Sequence, residues 1–164
     1  MFFKNFVYIL VLTLFFGCSY KHDNKYISTK KVTQQSVANT KKSEIIKNGK
    51  IKLFITVTFL DNLKGISDDR FEEFVVSLHF PNFDNKGLNK DEILNNISFL
   101  INGKAPIYSA QLKKDDKLLK VIPASNPWNS YFLVKSYKTD SNFVYFTIKI
   151  FGYKDMKFKF EKAY

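Results

Sequence analysis

Apolar and polar residues alternate along the chain from about residue 51 onward. Between Ile51 and Phe59 every second residue is apolar, and lysine or threonine fills most of the positions between them. A period of two predicts a β-strand with one buried face. The same pattern predicts further strands at Glu73–Phe80, Ile97–Ile101, Ile107–Leu112, Leu118–Ile122, Tyr131–Tyr137, Phe143–Ile150 and Met156–Phe160. Residues 50–164 are therefore predicted to form one β domain.

Turn-forming residues separate these segments. Asn102-Gly103 favours a hairpin turn between two strands, because both residues tolerate a positive φ. The segment Asn89–Glu92 has the form of a capping box and predicts a short helix that ends near Asn95. About seven short strands with regularly spaced turns predict an all-β, mainly antiparallel fold, namely an immunoglobulin-like β-sandwich with one short helix. An open barrel is the alternative architecture.

The N-terminal residues have a different character. Lys4 precedes an unbroken run that is almost entirely apolar, residues 6–16, and the run ends at Gly17-Cys18, where Cys18 is the only cysteine of the chain. Eleven helical residues would extend roughly 16 Å, which is short of the ~30 Å hydrocarbon core of a bilayer. The run is therefore too short for an ordinary transmembrane helix and fits a cleavable targeting segment better.

This order of residues resembles a bacterial lipoprotein signal peptide. The resemblance implies that residues 1–17 are removed and that Cys18 carries a diacylglycerol and an amide-linked acyl chain such as palmitate. Two or three acyl chains would anchor the protein stably in a membrane of the cell envelope. Ser19, rather than aspartate, follows the cysteine, which by the same resemblance implies the outer membrane if the source is Gram-negative. An uncleaved anchor is the alternative.

Residues 18–49 are predicted to be a flexible polar linker between the lipid and the domain. Lysine, serine, threonine, asparagine and glutamine dominate them, and this composition does not support a packed core. A short helix around Ser36–Lys47 is the alternative for part of this segment. On this interpretation the domain folds without its linker.

The positive charge of the chain lies mainly in this linker. The formal net charge is +11, and residues 18–50 contribute eight lysines against two acidic residues. Arg70 is the only arginine, whereas nucleic-acid-binding domains usually carry a basic stripe that is rich in arginine. We therefore predict a membrane as one partner, through the lipid anchor, and no nucleic acid.

Few side chains are suited to catalysis or to metal binding. His22 lies in the predicted linker, and His79 shares the polar face of a strand with Ser77, with no G-x-S-x-G segment to activate a serine. Adjacent acidic residues occur at Asp68-Asp69, Glu72-Glu73 and Asp115-Asp116. Lysines lie close to each of these pairs, so we interpret them as solvated surface charges. The sequence predicts no enzyme activity, no catalytic residue, no cofactor and no metal site.

The candidate binding site comes from a predicted hairpin of Tyr131–Tyr137 and Phe143–Ile150. If Tyr137 lies opposite Phe143, one face carries apolar residues that must enter the core: Phe132, Val134, Val144, Phe146, Ile148 and Ile150. The solvent face then displays the predicted partner-binding residues Tyr131, Lys135, Tyr137, Phe143, Tyr145 and Lys149. Exposed aromatic clusters are typical of recognition surfaces.

Our leading hypothesis is a non-enzymatic envelope lipoprotein that binds a protein or surface partner, either as an accessory of an envelope complex or as an adhesin. A small-ligand or metal carrier and a purely structural envelope component are the alternatives. A large apolar cavity between the inner faces would favour the carrier. A filled core with an aromatic outer face would favour the binding protein.

Overall fold

The computed structural model describes residues 34–61, 63, 68–81, 90–123 and 125–162. The predicted signal peptide, Cys18 and the linker up to residue 33 lie outside these residues. The described part contains eight strands: β1 (Thr40–Lys47), β2 (Lys50–Phe59), β3 (Phe71–His79), β4 (Ile97–Ile101), β5 (Tyr108–Gln111), β6 (Ser130–Tyr137), β7 (Phe143–Ile150) and β8 (Met156–Glu161). A helix, α1 (Lys90–Asn96), and a 3-10 helix, Lys117–Lys120, lie between strands, and residues 34–38 are helical.

The strands form two antiparallel sheets. The five-stranded sheet has the order β1-β2-β3-β6-β5, and the three-stranded sheet has the order β4-β7-β8. The predicted all-β, mainly antiparallel fold is confirmed. Within the described residues, no helix is both long and apolar enough to cross a bilayer.

The two sheets face each other across one apolar core. Its members are the alternate residues of the strands, which confirms the predicted inward positions of β6 and β7: Phe132, Val134, Val144, Phe146, Ile148 and Ile150 are all buried. Phe74 of β3 lies at the centre, with its ring centroid 4.8 Å from that of Phe59 and 4.6 Å from that of Phe146. The Phe160 ring lies 5.6 Å from both Phe59 and Phe74. These phenylalanines connect the sheets in the manner of a β-sandwich.

The folded region begins earlier than the predicted boundary at Lys50. Residues 40–47, which the composition assigned to the linker, form β1 and pair with β2 from Thr40 opposite Thr58 to Lys47 opposite Lys50. Asn48 and Gly49 join the strands with φ angles of 54° and 69°, the combination that a two-residue hairpin turn requires. The Asn48-Gly49 pair is the feature of the sequence that indicates this turn. The linker prediction is therefore wrong for residues 40–49. The alternative prediction of a helix over Ser36–Lys47 is wrong beyond residue 38, where the helix ends.

Two other local predictions need correction. The turn at Asn102-Gly103 is present, but it does not join two paired strands. Only the Ile101–Lys104 bridge closes it, because β4 and β5 belong to different sheets. The predicted strand Leu118–Ile122 is replaced by the 3-10 helix. The Asp116 side chain accepts a hydrogen bond from the Leu118 N–H (2.9 Å), and this cap favours helical geometry over an extended chain.

The connection between β5 and β6 covers the outer face of the five-stranded sheet. A second buried cluster forms there, composed of Leu60, Leu63, Val75, Leu119, Ile122 and Tyr131. The residues on that face of β3 and β6 are therefore shielded near the middle of the strands and reach solvent toward their ends. This coverage decides which of the predicted surface residues are accessible.

Candidate binding surfaces

The predicted partner-binding residues do not form one surface. β6 belongs to the five-stranded sheet and β7 to the three-stranded sheet, so the hairpin between them does not exist. Tyr137 lies opposite Phe71 of β3, and Tyr145 lies opposite Lys159 of β8. Because both strands bury their alternate residues in the shared core, Tyr131, Lys135 and Tyr137 face outward on one side of the domain. Phe143, Tyr145 and Lys149 face outward on the other side.

The six residues also differ in accessibility. Tyr137 is 66% exposed and Tyr145 is 50% exposed, whereas Tyr131 is only 3% exposed. The Tyr131 hydroxyl donates to the Asn126 carbonyl oxygen (3.0 Å) and accepts from the Asn126 N–H (2.6 Å), so it holds a loop. Its predicted place on the solvent surface is wrong, because the β5–β6 connection packs over its ring. Lys135 and Phe143 are half-buried, and Lys149 is exposed.

The accessible aromatic residues of the five-stranded sheet gather at one end of it. We call this surface the Tyr137 patch, and its members are Arg70, Phe71, Ile107, Tyr108, Lys135 and Tyr137. The Phe71 and Tyr137 rings lie 5.7 Å apart. Tyr108 of β5 lies opposite Lys135, and both Ile107 and Tyr108 are exposed. The patch therefore presents aromatic and aliphatic area that no described residue covers.

The cations of the Tyr137 patch are held in place by neighbouring acids. Arg70 binds both carboxylate oxygens of Asp68, with a shortest contact of 2.7 Å. Hydrogen bonds from the Arg70 guanidinium lower the pKa of Asp68 to about 2. The Lys135 ammonium pairs with the Glu73 carboxylate. Both cations also lie beside the Phe71 ring, at 5.2 Å for Arg70 Cζ and 5.8 Å for Lys135 Nζ. The patch is thus nearly balanced in charge, and its aromatic rings lie beside cations that neighbouring acids hold in place.

The outer face of the three-stranded sheet carries a smaller aromatic group. Lys159 Nζ lies 3.7 Å from the Phe143 ring centroid and 5.9 Å from that of Tyr145. Lys149 pairs with Asp155 at 3.7 Å. Cross-strand contacts between lysine and an aromatic ring stabilise an exposed sheet face. This group therefore has a sufficient structural explanation.

A buried ion pair joins the two sheets near the Tyr137 patch. Glu72 of β3 is fully buried, and Lys162, which follows β8, donates to its Oε1 at 2.5 Å. The Thr139 N–H and hydroxyl donate to the same oxygen at 3.1 and 2.8 Å. The interpretation of Glu72-Glu73 as solvated charges is wrong, because both carboxylates are buried and each pairs with a lysine. The pair fixes the β6–β7 connection where it crosses between the sheets.

Four of the six residues of the Tyr137 patch, Arg70, Phe71, Ile107 and Tyr108, were not predicted from the sequence. Phe71 and Tyr108 come from strands that are distant in sequence, and only the pairing of β3 and β5 with β6 brings them beside Tyr137 and Lys135. Their aromatic character was the available signal, but it carries no information on which strands are neighbours. Within the described residues, no group of three or more histidine, cysteine or acidic side chains could hold a metal ion.

Comparisons with protein-family models, with curated proteins and with solved structures find no significant match to this chain.

Proposed function

We propose that this chain is a lipid-anchored envelope lipoprotein whose immunoglobulin-like β-sandwich binds a protein partner without catalysis. The Tyr137 patch is the observation that carries this proposal. Phenylalanine rings fill the space between the sheets at centroid distances of 4.6–5.6 Å, which favours a binding protein over a carrier with an internal cavity. The exposed aromatic area lies on the outside, as expected of a recognition surface.

The strand order supports the immunoglobulin-like assignment. Immunoglobulin constant-type domains have one sheet with strands A-B-E-D and a second with strands C-F-G. If β2 to β8 are matched in chain order to strands A to G, the A-B-E-D sheet corresponds to β2-β3-β6-β5 and the C-F-G sheet to β4-β7-β8. The two sheets of this domain have the same strand order. On this assignment, β1 is an additional strand at the edge of the first sheet.

On this assignment, three phenylalanines lie on the strands that carry the core residues of immunoglobulin domains. Antibody domains join strands B and F with a disulfide, and a tryptophan of strand C packs against it. Here Phe74 of β3 contacts Phe146 of β7, and Phe99 of β4 lies 5.9 Å from Phe146. An apolar cluster in this position stabilises the domain without cysteine, which is consistent with the single cysteine serving as the lipid site.

The course of the chain supports a partner close to the membrane. β1 starts beside Thr58 and runs toward the Asn48-Gly49 turn, away from the end of the sheet that carries the Tyr137 patch. The chain thus enters the sheet from the side of the patch. If a lipid at Cys18 anchors the chain, the Tyr137 end lies nearer the membrane than the opposite end. We therefore favour an envelope protein in the same membrane as the partner over a distant surface.

Lipidation at Cys18 can be tested in cells that are labelled with a fatty acid. The Cys18→Ala variant is expected to accumulate as a precursor of higher mass that carries no label, because the thiol that accepts the diacylglycerol is gone. Gel mobility and label incorporation are the measurements, with Ser19→Ala as the control that keeps the thiol. A Cys18→Ala protein that matures and labels like the wild type would refute the assignment.

The Tyr137 patch can be tested by site-specific photo-crosslinking in the intact envelope. We expect a photoreactive amino acid at Tyr137 to give one discrete crosslinked product, and the same residue at Tyr145, on the other sheet, to give none. Adding Tyr108→Ala to the Tyr137 probe should lower the yield severalfold, because it removes apolar contact area next to the probe. Equal products from both positions, or a product from Tyr145 alone, would contradict the proposed surface.

A further inference from the structure

A cleft lies at the opposite end of the five-stranded sheet from the Tyr137 patch. Phe71 begins β3 and His79 ends it, and a rise of about 3.3 Å per residue separates the two ends by roughly 26 Å. The cleft has a volume of about 510 Å³, which is within the range of small-molecule sites. We call it the Trp128 cleft, after the tryptophan that lines it together with His79, Lys90, Gln111 and Lys114.

Trp128 presents its ring to solvent from an ordered loop. The side chain is 77% exposed, although it is the only tryptophan of the chain. The backbone N–H of Trp128 donates to Asn126 Oδ1 at 2.9 Å, and the backbone N–H and carbonyl oxygen of Asn126 both hydrogen-bond to the Tyr131 hydroxyl. A large apolar ring on a loop whose backbone is held in this way offers a platform for a ligand, since the loop backbone loses little conformational entropy on binding.

Hydrogen bonds orient His79 within the cleft. Its Nδ1 lies 2.8 Å from Asn129 Oδ1, and Asn129 Nδ2 donates to the Ser77 hydroxyl at 2.8 Å. A carboxamide oxygen can only accept, so Nδ1 carries the proton. Nε2 is then the ring nitrogen that remains to meet a ligand, as a hydrogen-bond acceptor. The Ser77–Asn129–His79 chain therefore holds the imidazole in one orientation.

The charge of the lining favours an anionic ligand. The charged side chains that border the cleft are two lysines, Lys90 and Lys114, and no aspartate or glutamate is among its described lining residues. Charge-assisted hydrogen bonds from lysine to a carboxylate are stronger than neutral ones. Gln111 adds an amide that can both donate and accept. This lining can therefore bind a ligand that combines an acid group, hydroxyl groups and one apolar ring face.

We propose that the Trp128 cleft binds an acidic sugar, a hexuronic acid or the terminal residue of an acidic glycan. The C–H face of the pyranose ring packs on the Trp128 indole, the carboxylate pairs with Lys114, and hydroxyl groups bond to Gln111 and to Nε2 of His79. This site goes beyond the proposed function, because it requires neither the lipid at Cys18 nor a partner at the Tyr137 patch.

The single tryptophan makes the test direct. We expect D-glucuronate to change the Trp128 fluorescence in a saturable manner, whereas D-glucose and acetate do so at least tenfold more weakly, since each lacks half of the recognised groups. Methyl β-D-glucuronide, which mimics a chain-terminal residue, distinguishes a glycan end from the free acid. If methyl β-D-glucuronide binds more tightly than D-glucuronate, the ligand is a glycan end, and the reverse order indicates the free sugar acid. No saturable response to either, or tighter binding of benzoate than of both, would overturn the assignment to an acidic sugar.

Two adjacent lysines provide a matched pair of variants. Lys114 lines the cleft and Lys113 does not, although both are exposed in the same connection. Lys114→Gln is expected to weaken D-glucuronate binding about tenfold, and Lys113→Gln to leave it within twofold, with unchanged melting temperatures for both. Equal effects of the two variants would show that general positive charge, rather than this cleft, attracts the anion.

Discussion

Replacing Lys162 with alanine is expected to destabilise the domain by about 3–5 kcal/mol, because it leaves the buried Glu72 carboxylate without its counter-charge. Glu72 is 0% exposed, and its Oε1 receives three hydrogen bonds, one of them from Lys162. Its Oε2 has no hydrogen-bond partner within the described residues. The groups that stabilise this charge therefore all bind Oε1. Water cannot replace the ammonium group at a buried position.

Urea unfolding of the wild type and of Lys162→Ala measures this loss, with the slope of the transition as a check on two-state behaviour. Lys149→Ala is the matched control, because Lys149 also pairs with an acid, Asp155, but both side chains are about half exposed. Exposed pairs contribute at most about 1 kcal/mol. A double variant, Glu72→Leu with Lys162→Met, should recover most of the lost stability, since it removes both charges and keeps the volume. A Lys162→Ala protein as stable as Lys149→Ala would contradict the buried ion pair.

Truncating the central phenylalanine of the core is expected to have an effect of similar size. Phe74→Ala should lower the free energy of unfolding by about 3–5 kcal/mol, through lost burial and the cavity that remains between the sheets. The Phe74 ring contacts three other core phenylalanines, one on its own sheet and two on the opposite sheet, at centroid distances of 4.6–5.6 Å. Because these contacts join both sheets, the surrounding side chains cannot close the space without moving a strand.

Phe151→Ala provides the control for Phe74→Ala. It removes the same atoms from a side chain that is 89% exposed, in the turn after β7, and surface changes of this kind usually stay within about 0.5 kcal/mol. Thermal and urea unfolding of both variants give the comparison. Similar midpoints for the two proteins would mean that Phe74 does not hold the sheets together.

The local features of this domain were readable from its residues. Alternation in the segments around Phe132 and Phe146 predicted both the strands and their buried faces, because a strand turns every second side chain to the same side whatever its neighbours are. Asn102-Gly103 predicted a turn with positive φ for the same local reason, and Asn48-Gly49 carries the equivalent signal.

The pairing of strands was decided only by the tertiary structure. β6 and β7 carry the same inward pattern whether they form a hairpin or lie in opposite sheets, because the core fills from both sides. Burial at Tyr131 depends on a connection from another part of the chain, and burial at Glu72 depends on Lys162, 90 positions away. The Tyr137 patch and the Trp128 cleft likewise combine residues from separate strands and loops. Periodicity determines which side of its own strand a residue occupies, whereas the free energy of contacts between distant segments determines what that side meets.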